Sequence, residues 1–175
     1  MDFANIEVIL NNYAKKVISD ARKNLVDDHK SLGSLYNSLN YSLETEVGAF
    51  LVNFFMEDYG KFVDKGVKGK TSTYAETRAA LSQFQYGSGT GIKGGLTKGI
   101  KGWLGKKRFQ WKTKTGQFMS YDSMAFLIAR SIYNKGIKAN LFFSKPFENE
   151  LKGLENSLLN AFVLDVEHAI ILGTK

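Results

Sequence analysis

Residues 31–56 read SLGSLYNSLNYSLETEVGAFLVNFFM, and the period changes inside them. Leu35, Leu39, Tyr41 and Leu43 fall at even spacing with polar residues between, the repeat of a half-buried strand. A polar turn follows around Glu44–Glu46. Val47, Ala49 and Leu51 then lead into an apolar cluster that ends at Met56. Alternation followed by an apolar run predicts two paired strands, the second the more buried. Glu57-Asp58 starts a short helical turn, YGKFVDKG, with Asp58 as N-cap and Gly66 as C-cap.

Helices flank this pair. Phe3, Ile6, Leu10, Tyr13, Val17, Ala21 and Leu25 recur at three- and four-residue steps, which predicts an amphipathic helix from Phe3 to about Asp27. Lys15, Lys16, Arg22 and Lys23 lie off that stripe. Towards the other end, Ser120 suits an N-cap, Asp122 a first turn and Gly136 a stop, so a helix is expected from Tyr121 to Lys135. Its buried stripe is Met124, Leu127, Ile128 and Ile132. Pro146, the only proline, opens a last helix from Phe147 to about Ile171. Its stripe is Phe147, Leu151, Leu154, Leu158, Phe162 and Val166, and Gly153 weakens it by about 1 kcal/mol relative to alanine. Val67–Gln85 reads as loop with one short helix around Ala75–Leu81. The fold class is therefore α+β: a small antiparallel sheet packed by long N- and C-terminal helices in a single domain, 1–175.

One stretch departs from this pattern. Tyr86–Phe118 holds nine of the 17 glycines, and no acid lies between Glu76 and Asp122. Nine bases do: Arg78, Lys93, Lys98, Lys101, Lys106, Lys107, Arg108, Lys112 and Lys114. The formal charge of the chain is +7, so the remainder sums to −2 and the basic character is local. Trp103, Leu104, Phe109 and Trp111 are too apolar for a passive linker. The expectation is a long Gly/Lys-rich loop over 87–118, or a β-arm around Arg108–Lys114, that orders on a partner. Phosphate contact by its bases, with Trp103, Phe109 or Trp111 as stacking groups, is one use for it. A solvated loop, or a segment packed on a neighbouring subunit, is the other.

Composition narrows the chemistry. With 43% hydrophobic and 13% aromatic residues there is material for a core. Cysteine is absent, which excludes disulfides, cysteine zinc sites and thiol catalysis. The start, MDFANIEVIL, carries an acid where a signal peptide carries a base, and no run approaches the ~18 apolar residues of a membrane span. Export and membrane insertion are therefore not expected. A pI near 9.4 favours acidic partners, nucleic acid first.

No catalytic set emerges. Gly89, Gly91 and Gly94 match G-x-G-x-x-G, but Gly95 and Gly99 spoil the following helix and the next acid is Asp122. His29 and His168 are the only histidines, His29 near a helix end and His168 inside the last helix. Two distant histidines make a transition-metal site improbable, and no Ser-His-Asp arrangement can be built. Glu57 and Asp58 point roughly 100° apart on a helix, a poor acid–base pair. No enzyme activity, cofactor or metal is expected.

A resemblance adds to this reading. Leu32-Gly33-Ser34-Leu35-Tyr36-Asn37-Ser38-Leu39, the strand Gly48–Met56, and Tyr59-Gly60-Lys61-Phe62-Val63-Asp64-Lys65-Gly66 follow one another in a familiar order. The order resembles the tail-completion and head–tail connector (neck) proteins of tailed bacteriophages. Gly33, Leu35 and Ser38 stand in that family's first motif, with Ser31 or Leu32 where threonine is usual. Tyr59, Phe62, Val63, Asp64 and Gly66 stand in its second. Ala125–Ile132 with Gly136–Ala139 and Phe142-Phe143 resembles its segment before the last helix. The resemblance implies a structural virion protein at the head–tail junction, made in the host bacterial cytoplasm. It implies a homo-oligomeric ring of six or twelve copies, contacts with other neck, portal-adaptor or tail proteins, and DNA passing by. Lys93, Lys98, Lys101, Trp103, Lys106, Lys107, Arg108, Phe109, Trp111, Lys112 and Lys114 would then form an assembly or DNA-facing loop. The alternative reading is a nucleic-acid-binding protein that uses the same basic arm, with only transient, non-specific DNA contact in the first case.

Overall fold

The structure, a computed structural model, describes residues 3–27, 33–46, 48–71, 82–87 and 94–173. The expected helix at 75–81, His29, and residues 89–93 of the glycine motif lie outside them. Two units are present: Met1–Asp64 with Leu141–Lys175, and Lys65–Asn140 between them in sequence. The fold class is α+β.

In the first unit, α1 (Ala4–Asp27) buries Ile6, Leu10, Tyr13, Val17, Ala21 and Leu25 as the spacing requires, with Ala14 and Ile18 beside them. Helix α2 (Ser34–Ser38) follows, then strands β1 (Asn40–Glu46) and β2 (Ala49–Phe55), then α3 (Gly60–Lys65). The strands pair antiparallel from Asn40↔Phe55 to Glu46↔Ala49. The strand therefore begins later than its alternation suggested. Leu35 is buried from a helical turn, and its even spacing with Tyr41 is coincidental. Glu44 and Glu46 belong to β1 rather than to the turn, and Gly48, just before β2, stands at φ 80°. Strand β2 is the more covered of the two, as expected, although Leu51 and Phe55 face outward because the hairpin is covered on one side only. Helix α3 starts at Gly60, so Tyr59 rather than Asp58 precedes it, while Gly66 ends it at φ 72°.

Helix α6 (Ser144–Gly173) runs antiparallel to α1. Asn24 Nδ2 donates to the Phe142 carbonyl near one end, Lys16 pairs with Glu150 at 3.7 Å, and Asn5 meets Asp165 near the other. Phe147, Leu154, Leu158, Ala161 and Asp165 face α1 and its surroundings. Leu151 and Phe162, expected in that stripe, are 47% and 46% exposed. The buried line tracks the α1 contact and so runs through smaller residues than hydrophobicity alone selects. Two clusters form the core, one around Ile18, Leu25, Leu39 and Phe142, the other around Ile6, Leu10 and Ala161. Where the chain leaves and re-enters this unit, the Leu141 N–H donates to the Asp64 carbonyl at 2.9 Å.

In the second unit, β3 (Val67–Lys68) pairs antiparallel with β4 (Gly136–Ile137). A Cβ at Gly136 would lie 2.2 Å from the Val67 carbonyl oxygen, and φ there is 85°, so only glycine admits this pairing. Helix α5 (Tyr121–Lys135) has the expected cap, with the Ser123 N–H donating to the Ser120 hydroxyl. Its buried residues are Met124, Ala125 and Ala129, with Leu127 44% exposed. The Gly/Lys-rich stretch carries more structure than a loop. Helix α4 occupies Gly95–Lys107, and a hairpin arm follows at Trp111–Met119. Leu96, Ile100 and Leu104 recur every four residues. Leu104 is fully buried against Met124 and Ala125, and that packing outweighs the poor helix propensity of the glycines.

Candidate functional site

Two surfaces stand apart from the rest. The first contains the residues singled out from the sequence. Lys98 and Lys101 lie on α4, and Lys106 and Lys107 form its last turn. Arg108 is its C-cap in the left-handed region, φ 51° and ψ 34°, and returns its N–H to the Leu104 carbonyl. The chain then reaches the hairpin. The Met119 N–H donates to the Trp111 carbonyl at 2.8 Å, and the Thr113 N–H to Gln117 at 2.8 Å. Gly116 closes the turn at φ 82°, the role glycine takes after a tight turn of this kind. The Trp111 N–H donates to Met124 Sδ at 3.4 Å, which fastens the hairpin to α5.

All the named residues from Lys98 to Lys114 are exposed; Lys93 lies outside the described residues. Trp103, Phe109 and Trp111 are 51%, 43% and 41% exposed, and Phe118, not picked from the sequence, is 65% exposed. The Phe109 and Trp111 rings meet edge-on with centroids 5.9 Å apart, and Lys112 Nζ sits 5.1 Å above the Phe118 ring. Lys101 pairs with Asp122 at 2.6 Å. Among the described residues, Lys98, Lys106, Lys107, Arg108, Lys112 and Lys114 have no acidic partner. Counting formal charges, the second unit carries fifteen bases against two acids and the first nine against fifteen, so the units hold +13 and −6. Charge is thus divided between the units, more sharply than the loop alone indicated.

The second surface was missed from the sequence. On α6, Leu159, Val163 and Ile170 are 62%, 57% and 61% exposed. With Val166 they fall at i, i+4, i+7 and i+11, a stripe on the side of the helix away from α1. Helix α6 thus has two apolar faces, and one of them is open. The open face continues into a groove of about 500 Å³ lined by Ile6, Leu10, Phe50, Leu158, Leu159 and Phe162. At 30 residues against 24, α6 also outruns its partner. Its residues beyond Asp165 extend past the start of α1. The signal was present as a run that is apolar all round, LLNAFVLDV, which marks a helix covered on more than one side.

No described histidine, aspartate or glutamate side chains gather in threes where they could hold a metal ion. His168 is exposed on α6. Among the described residues, no helix is long and apolar enough to cross a membrane. No family model, curated protein or solved structure matches the chain.

Proposed function

We propose that this chain is a structural protein of a tailed-phage virion. It would join head to tail at the neck as a homo-oligomeric ring of six or twelve copies and let DNA pass. The observation that carries the reading is the open stripe of α6. Leu159, Val163 and Ile170 each hold on the order of 100 Å² of apolar surface, so at their exposure they leave roughly 200 Å² uncovered in one line, which a contact with another copy would bury. The division of charge adds support. A chain with one acidic and one basic unit has unlike surfaces that attract between copies, and a head-to-tail contact that closes makes a ring.

The residues that carry the family resemblance also have structural work in this fold. Tyr59 Oη accepts the Leu35 N–H at 3.0 Å and so ties the second motif to the first. Asp64 holds the start of α6. Other neck, portal-adaptor or tail proteins are the further partners of this reading. Negative-stain electron microscopy of the purified chain, dilute and concentrated at physiological salt, tests it. Closed rings are the expected result. A chain that stays monomeric both alone and with purified phage neck or tail assemblies would sink the reading.

A further inference from the structure

We propose that the end of α4 and the hairpin of the second unit bind an unpaired nucleic-acid strand without regard to sequence. The inference does not rest on the ring reading. Its first support is charge. Lys106, Lys107, Arg108, Lys112 and Lys114 lie within nine residues and have no acidic partner among the described residues. Of the two acids in the unit, Asp122 is already tied to Lys101 and Glu76 lies outside the described residues. A polyanion meets a large excess of positive charge in this unit, and each phosphate it places displaces a counterion.

The second support is the aromatic surface among those cations. Phe109, Trp111 and Phe118 stand 43%, 41% and 65% exposed, and Trp103 lies one turn before Lys107 at 51%. Protein carboxylates would satisfy the lysines and leave these rings in water. A duplex would do the same, because its bases are stacked on one another. An unpaired strand offers both a phosphate and an open π-face at each step, and stacking of this kind is indifferent to base identity. The site is also held in shape, by the two hairpin hydrogen bonds and the Trp111–Met124 anchor. Sequence readers are scarce: the Gln110 amide is already spent on the Met119 carbonyl, and lysine acts as a point charge.

The test uses the intact chain. Its only two tryptophans, Trp103 and Trp111, both belong to this surface, so intrinsic fluorescence reports on it directly. Oligothymidylate of about 16 nucleotides, a blunt duplex of equal length and polyglutamate are titrated separately. Oligothymidylate should quench the emission and bind most tightly. With five ions engaged, its affinity should fall about 100-fold between 50 and 200 mM salt. Neutralising three cations (Lys106→Gln, Lys107→Gln, Lys112→Gln) should lower the salt slope by about 2 with melting unchanged. Phe118→Ala, at the most exposed ring, should weaken oligothymidylate several-fold and leave the salt slope in place. Equal affinity for the duplex or polyglutamate would overturn the proposal. So would salt-sensitive self-association without nucleic-acid binding, which would assign the basic surface to the acidic unit of a second copy.

Discussion

Phe3 precedes α1 and Phe143 precedes α6, and phenylalanine cannot accept the N–H groups left open at a helix start. Distant carboxylates accept them instead. Asp165 takes the Asn5 and Ile6 N–H groups, each at 3.1 Å, and the Asn5 amide at 2.7 Å. Asp64 is 3% exposed and takes the Phe143 and Ser144 N–H groups at 2.9 and 3.0 Å, along with the Ser144 hydroxyl. These caps lie about 80 and 160 residues from the helices they serve, so no local motif announces them. Asp64→Ala should lower stability by about 3 kcal/mol, since a buried charged acceptor is lost and its donors stay dry. Chemical denaturation of the two proteins measures it, and a change below 1 kcal/mol would refute the capping role. For Asp165, burial pushes the carboxyl up. The Asn5 and Ile6 donors and the nearby His168 outweigh burial and hold it below the ordinary carboxylate value. A lowered native value means that the contribution is complete above the unfolded value of 3.8 and lost as pH falls through the lower native one. The melting difference between wild type and Asp165→Asn should therefore be full near pH 6 and shrink below pH 4. A constant difference would count against it.

Helices α1, α5 and α6 were legible because their apolar residues repeat over many turns and their stop signals are local, Gly136 above all. Strand β1 was legible only in part, since Leu35 and Leu39 match an even spacing as well as a short helix. Helix α4 was not legible. Its glycines speak against it, and what stabilises it is Leu104 packed on residues twenty positions further on. That conflict makes a prediction. A Cβ at Gly102 or Gly105 would meet nothing within 4 Å. Gly102→Ala and Gly105→Ala should each stabilise α4 by up to about 1 kcal/mol, read as slower amide exchange across 98–107. Faster exchange would show that α4 needs these glycines for close approach. The basic residues of the candidate site were legible by type, as were Trp103, Phe109 and Trp111, but Phe118 was not. The hairpin was one of two readings left open, a few residues earlier than it lies, while the helix end that carries Lys106 and Lys107 was not legible.

At the scale of the whole molecule, the open face of α6 and the +13/−6 division of charge are the features on which the proposed contact between copies rests. A chain read one residue at a time shows its composition and conceals which apolar residues are left over after folding. Leu159→Asp with Val163→Asp should abolish self-association in sedimentation while leaving the melting temperature within a few degrees, because both side chains are exposed. Unchanged assembly would move the copy-to-copy contact elsewhere. The clamp between Asp64 and Leu141 has a mechanical consequence. The second unit leaves and returns through two residues hydrogen-bonded to each other, so the first unit is bridged without it. Tension between the chain ends can cross that bridge and bypass residues 65–140 while the bridge holds. A load that strains α1 and α6 would then leave the inserted unit slack.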